Sequence, residues 1–313
     1  MKDYRIIDGH CDTLLLFDKP EYDFHNKNQI GHIDMDRLVS ANVLLQFFAV
    51  FIETNLLHKA LEEGLTLTNK LLAAIEKDSR LFLIKDADDL NKLTTGKVGA
   101  LLSLEGGEVI NKNIALLDVY HRLGVRALTL TWNHRNEICD GIGEESAGGL
   151  TTFGKSVVKR MEQLKMIVDI SHLSIKGFWD CIEHYNGSIL ASHSNAKSLC
   201  GNRRNLDDNQ IKAIAETQGL IGINFLPNFL SDNPEEVTID TLIDHMSYIG
   251  DLVGIQYVGL GSDFDGVGSL PRGINDVTDL EKLYFRMLER GFSKEDVEKV
   301  LYSNFYNYLT RSL

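Results

Sequence analysis

Five side chains able to hold a divalent cation recur along this chain in a set order: His10, Asp12, Glu105, His172 and His193, with the acid Asp263 after them. His10 and Asp12 are two apart, so on an extended segment the imidazole and the carboxylate face the same side. Neutral nitrogen and anionic oxygen donors suit Zn²⁺, and Mn²⁺ or Co²⁺ could bind in the same way. Glu105 carries two oxygens and can therefore bridge two ions, which an imidazole cannot do. A pair of cations in one site activates water and stabilises developing negative charge, so the chemistry suggested is metal-dependent hydrolysis. Taken singly, each residue has a plainer explanation. HxD pairs make ordinary hydrogen bonds, a glutamate before two glycines can start a loop, strand-end histidines are commonly structural, and Asp263 sits in a glycine-flanked segment that forms Asx turns.

What raises these residues above the plain reading is where they fall. Each follows a short apolar run: RII, GALLSL, MIVDI, SILA or YVGLG. Eight runs with strand character lie near 5–9, 43–52, 98–104, 126–131, 166–171, 188–192, 219–225 and 257–262. Segments with helical spacing of apolar residues separate most of them, including HKALEEGLTLTNKLLAAIEKD, TTFGKSVVKRMEQLK and TIDTLIDHMSYIGDLVG. Strands alternating with helices imply parallel pairing, and eight of them predict a closed (β/α)₈ barrel with extra terminal helices. Polar residues at the ends of barrel strands then converge on one face, the C-terminal one. An open doubly wound sheet would call for a glycine-rich phosphate turn after the first strand, and DGHCDTLL is not one. No repeat or linker composition divides the chain, so residues 1–313 are read as a single domain.

Two polar stretches are predicted to cover the barrel mouth: 17–38 and the glycine-rich CDGIGEESAGGLT over 139–151. Arg203 and Arg204 in CGNRRNLDD offer a bidentate fork for a carboxylate, or pairing with nearby acids. In GSDFDG, Asp263 and Asp265 either face one side together, or the first enters the site while the second holds a turn. Asp169, Ser171 and Ser192 stand beside the histidines and could orient their rings. Cys11, between His10 and Asp12, should face away from both.

Composition narrows the partners. A net charge of −13 repels phosphate backbones, which argues against nucleic acid. No apolar run reaches the length of a membrane span. The four cysteines (Cys11, Cys139, Cys181, Cys200) show no CxxC or CxxH spacing, so reduced thiols and a cytoplasmic location are expected.

The motifs DGHCD, SLEGG, DISH, SHSN, RRNL and GSDFDG, in that order over residues 8–266, resemble those of the membrane (renal-type) dipeptidase family of zinc peptidases. The resemblance implies two zinc ions per chain, one held by His10 and Asp12, the other by His172 and His193, with Glu105 bridging them. It implies hydrolysis of dipeptides, some with D- or unusual C-terminal residues, by a hydroxide between the ions. Asp263 is then the acid-base residue and Arg204 the binder of the substrate's terminal carboxylate. The family's best-studied members carry a substrate-binding histidine in an LTH motif. Here the segment reads LTWNHRN, so Trp132 takes that place and His134, two residues on, is the candidate to replace the histidine. With no secretory or anchoring signal in view, the chain resembles a soluble bacterial-type member, for which a homodimer is plausible. Two alternatives stand beside this reading. One is another amidohydrolase-type enzyme acting on cyclic amides or esters, and the other a barrel that keeps metal without catalysis.

Overall fold

The computed structural model describes residues 2–313. Among the described residues nine strands are present: β1 (Ile6–Asp8), β2 (Val43–Phe51), β3 (Leu81–Leu83), β4 (Val98–Glu105), β5 (Val125–Thr129), β6 (Ile167–Asp169), β7 (Leu190–Ala191), β8 (Leu220–Ile223) and β9 (Val258–Leu260). Every pairing among them is parallel. The order β2-β1-β9-β8-β7-β6-β5-β4 closes on itself because β2 also pairs with β4. Eight strands thus form a TIM-like barrel, as the sequence predicts. The ninth, β3, was not anticipated. Its three residues pair with Val98–Ala100, at the start of β4, while β5 takes over from Leu102 onward on the same strand. A three-residue run is too short to show any periodicity.

All-parallel strands are buried on both faces, and β2 is apolar along nearly its whole length for that reason. Leu45 and Phe47 belong to the cluster inside the barrel, together with Ile7, Leu101, Ala127, Ile167, Leu190 and Leu220. Phe48 and Val50 belong to the larger cluster between strands and helices. The C-terminal helix Asn304–Ser312 closes the end of the barrel where the strands begin. Phe305 sits in the inner cluster 5.6 Å from Phe47, centroid to centroid, and Asn304 Nδ2 donates to Val258 O at 2.8 Å. Burying a phenylalanine this fully contributes roughly 1.5–3 kcal/mol. With that end plugged, the opposite end is left for chemistry.

The helices follow their local signals. Met35–Ala41 starts at Asp34, whose carboxylate accepts from Arg37 N, so the polar stretch expected to run as loop to residue 38 already turns helical at 35. Ile114–Leu123 stops at Gly124, whose φ of 106° lies in the left-handed region that ends helices. No helix among the described residues is long and apolar enough to cross a membrane.

Candidate metal centre

The six acids and histidines singled out in the sequence meet at the C-terminal ends of the strands. Glu105 is the last residue of β4; His10 and Asp12 follow β1, His172 follows β6, His193 follows β7 and Asp263 follows β9. His10, Asp12, Glu105, His172 and His193 are all buried. The oxygens of Glu105 part company. Oε2 lies 3.3 Å from His10 Nε2, whereas Oε1 lies 3.1 Å from His172 Nε2 and 3.7 Å from His193 Nε2. On the first side His10 Nε2 also stands 3.4 Å from Asp12 Oδ2 and 3.9 Å from Asp263 Oδ1.

The other nitrogen of each of the last two histidines fixes its tautomer. His193 Nδ1 is 2.7 Å from Ser192 Oγ, and that hydroxyl already donates to Asp169 Oδ2 at 2.6 Å. Ser192 therefore accepts, and His193 carries its proton on Nδ1. His172 Nδ1 lies 2.8 Å from Asn133 Oδ1, an acceptor, so it is protonated at the same position. Both Nε2 atoms then present lone pairs, and they face each other at 2.8 Å. Two such lone pairs repel unless a cation lies against them. Nitrogen ligands of one tetrahedral zinc stand about 3.3 Å apart, so a small opening of the two rings accommodates an ion. His10 Nε2 and Asp12 Oδ1 are likewise buried with no hydrogen-bond partner. These orphaned donors are of the right chemistry for divalent cations, and the residues fit the group.

Electrostatics set the histidines apart: burial alone would pull His10 down, but the charges of Glu105 and Asp12 beside it hold it well above the usual imidazole range. Burial, with His10, His172 and Arg204 nearby, holds His193 well below the usual imidazole range, and burial with Arg204 does the same less strongly for His172. Neutral imidazole is the ligating form. Burial alone would push the Glu105 carboxyl up, but the facing rings of His10 and His172 hold it well below the usual range, as an anion. Asp12 is raised, by burial first and by the charge of Glu105 second. A carboxylate so placed is stabilised by an adjacent cation.

Around this core, Asn224 Nδ2 donates to Asp263 Oδ2 at 2.8 Å, leaving Oδ1 toward His10. Asp265 turns the other way: it accepts from Thr13 Oγ1 at 2.6 Å and from the backbone N–H of His32, fastening the 17–34 loop to the end of β9. The two arginines separate as well. Arg203 is exposed and donates to Glu144 O at 3.4 Å. Arg204 is buried, donates through Nη2 to His193 O at 3.3 Å, and leaves Nε without a partner. Burial pulls its pKa down to about 10, so it stays charged at neutral pH. It lines a small cavity with His172, Ile142 and Ser194. Cys11 joins the outer core, turned from its neighbours.

Trp132 leans over the site, its ring 6.1 Å from that of His172 and 5.3 Å from Phe51. His134 is exposed, with its ring 5.6 Å from Trp132. The two-residue strand spacing expected to align it with Trp132 does not reach that far, since β5 ends at Thr129. Asn133 and Asn224, which touch the cluster, were missed by sequence reasoning. Neither side chain carries a mark that separates it from an ordinary loop or strand-end asparagine.

Two residues of the site, His172 (φ 68°) and Asp263 (φ 63°), take left-handed backbone conformations that cost non-glycine residues roughly 1–3 kcal/mol each. Such outliers persist where the surrounding structure fixes them.

A parallel barrel that buries paired histidines and carboxylates at the ends of its strands defines a metal-dependent hydrolase. The model of the membrane dipeptidase family, peptidase family M19, matches residues 1–311, and the chain belongs to that family. It is a metallo-dipeptidase. Dipeptidase tcpJ from Claviceps purpurea is 31% identical over 322 residues, covering 96% of this chain and 76% of the relative. The crystal structure of dipeptidase AC, a family M19 metallopeptidase, superposes with a TM-score of 0.94 at 29% identity and covers 99% of both chains. A metallopeptidase from Rhodobacter sphaeroides, crystallised with a phosphinate mimic of the dipeptide L-Ala-D-Ala, has a TM-score of 0.94 at 28% identity and covers 100% of both chains.

Proposed function

We propose that this enzyme hydrolyses dipeptides with two zinc ions per chain, one on His10 and Asp12, the other on His172 and His193, with Glu105 between them. The observation that carries this is the divergence of the Glu105 oxygens, 3.3 Å from His10 on one side and 3.1 Å from His172 on the other. Ions bound there would polarise the peptide carbonyl and lower the pKa of a water.

The chain's own residues do the rest. Arg204, charged and with a free Nε, receives the substrate's C-terminal carboxylate and sets the reach to a short peptide. Asp263 has Oδ2 engaged by Asn224, so Oδ1 is the oxygen that takes a proton from the attacking water and returns it to the leaving amine. Trp132, against His172, forms the wall on which the substrate lies, with exposed His134 at the rim. Dipeptides with a D-residue at the C-terminus fall within this reading, in keeping with the L-Ala-D-Ala mimic held by the Rhodobacter relative.

Metal analysis of purified protein together with a panel of L,L- and L,D-dipeptides tests it. Two equivalents of metal, turnover that stops on chelation and returns with Zn²⁺, and no turnover of lactones or hydantoins are the expected results. Full dipeptide turnover by metal-free protein would refute the proposal.

A further inference from the structure

The two histidines assigned to the second ion are held by different devices. His193 is fixed through Ser192, which passes its hydrogen bond on to Asp169, a carboxylate that also accepts from Thr129 Oγ1 at 2.5 Å and from the N–H groups of Ser171 and Ser192, both at 3.0 Å. His172 depends on the single contact from Nδ1 to Asn133 Oδ1, 2.8 Å long. The asparagine is itself pinned. Its carbonyl accepts from Gly143 N at 2.7 Å, and a Cβ on Gly143 or Gly141 would come within 2.4 or 2.6 Å of that oxygen. Between these glycines, Ile142 donates from N to His172 O at 2.7 Å. Residues 141–143 therefore bind the backbones of Asn133 and His172 into one unit, and the side-chain bond sets the ring within it.

We infer that Asn133 is a positioning residue for the ion of His172 and His193, holding His172 in the Nδ1–H tautomer with Nε2 turned into the site. The inference rests on the two-ion reading above. An imidazole lacking this acceptor can rotate or change tautomer, and removing such an outer partner typically weakens a metal site roughly 10–100-fold. Among the described residues, the hydrogen bonds of the Asn133 side chain include none to His10 or Asp12, so the loss falls on one ion of the two.

The test counts zinc by mass spectrometry across buffered free-metal concentrations for wild type, Asn133→Leu, which matches the size and lacks the acceptor, and Asn133→Asp, which keeps it. Melting of the metal-free proteins establishes that each is folded, and Asn133→Ser replaces the leucine variant if that one is not. Wild type is expected to take up two ions. In Asn133→Leu the weaker uptake step should fall roughly 10–100-fold while the other holds, and Asn133→Asp should restore both. A two-ion wild type with unchanged steps in Asn133→Leu, or with both steps weakened alike, overturns the role of Asn133 alone. A wild type that binds one ion or none overturns the two-ion reading and this inference with it.

Discussion

Gly261, just beyond β9, is where the backbone of the site is packed most tightly, and Gly261→Ala is the sharpest probe of it. An added Cβ would stand 1.8 Å from Ser192 O, 2.8 Å from Ser192 C and 3.0 Å from His193 Cα. All three are backbone atoms, so no side chain can rotate away. Bringing the first contact to the 3.0 Å below which real Cβ contacts essentially never fall requires a shift of about 1.2 Å between the ends of β7 and β9. The strand end that must move carries Ser192, which holds Asp169, and His193, which faces Glu105. Overpacking of this kind costs about 1–3 kcal/mol, occasionally more. With an unfolding entropy of roughly 2.1 cal/mol/K per residue, the upper figure lowers the melting midpoint of a chain this long by about 4–5 °C. The catalytic effect should be larger, because a displacement of about 1 Å near reacting groups can cost on the order of 100-fold in rate. Gly268→Ala is the matched control: nothing lies within 4 Å of its Cβ, so stability and turnover should hold or rise slightly. Melting curves and dipeptide kcat for the three proteins decide. If Gly261→Ala melts and turns over like Gly268→Ala, the close approach of β7 and β9 does not govern the site.

Arg204→Met should raise KM for dipeptides roughly 10–100-fold, the worth of a charged hydrogen bond, and leave the weak hydrolysis of the corresponding dipeptide amides unchanged. Equal losses on both substrates would count against a carboxylate contact. Asp78 is held at a pKa of about 2, mainly by its side-chain hydrogen bonds from Arg80. Its folded value is depressed, so its contribution is complete above the unfolded value and is lost as pH falls from about 4 toward 2. Asp78→Asn should therefore be less stable than wild type at pH 6, with the gap closing by about pH 2–3; a gap independent of pH would contradict this. All four cysteines are free and buried, and burial pushes Cys139 up to about 12, so a thiol reagent should label none of them until the protein unfolds. Rapid labelling of the native protein would show that these walls open.

The eight barrel strands, and the convergence of His10, Asp12, Glu105, His172, His193 and Asp263 at their ends, were legible because the signals were local. A run such as GALLSL is buried on both faces, and the polar residue that ends it has nowhere to point except the mouth. Relations that depend on three dimensions were not legible. Asp263 and Asp265 share one spacing and one turn-forming context, yet Asp263 meets Asn224 and His10 while Asp265 meets Thr13 and His32. The left-handed backbone at both, with φ of 63° and 67°, undoes the alternation that an extended reading assumes. By residue type alone Arg203 and Arg204 were equivalent and only the resemblance singled out Arg204, whereas packing buries Arg204 and leaves Arg203 exposed. His134 was placed by extending strand periodicity past Thr129, where the pairing with β6 stops at Asp169.

Two further buried acids explain how a site full of like charges keeps its shape. Asp8 on β1 accepts from Ser262 N at 2.8 Å, Ser262 Oγ at 2.5 Å and Gln46 Nε2 at 3.0 Å, and so spans from the end of β9 across β1 to β2. Asp169 on β6 does the same between β5 and β7 through Thr129 and Ser192. A carboxylate buried alone is costly, but three or four donors per group offset that cost and leave it as a rigid link between neighbouring strands. Each brace lies two or three residues before a histidine of the site, His10 and His172. Glu105, Asp12 and Asp263 repel one another, and strands free to part would relieve that repulsion by opening the barrel mouth. Braced from β9 across β1 to β2 and from β5 across β6 to β7, those strand ends resist parting, so the repulsion would remain as an affinity for cations. On the proposed two-ion reading, the acids that hold no metal are what would allow Asp12 and Glu105 to bind it.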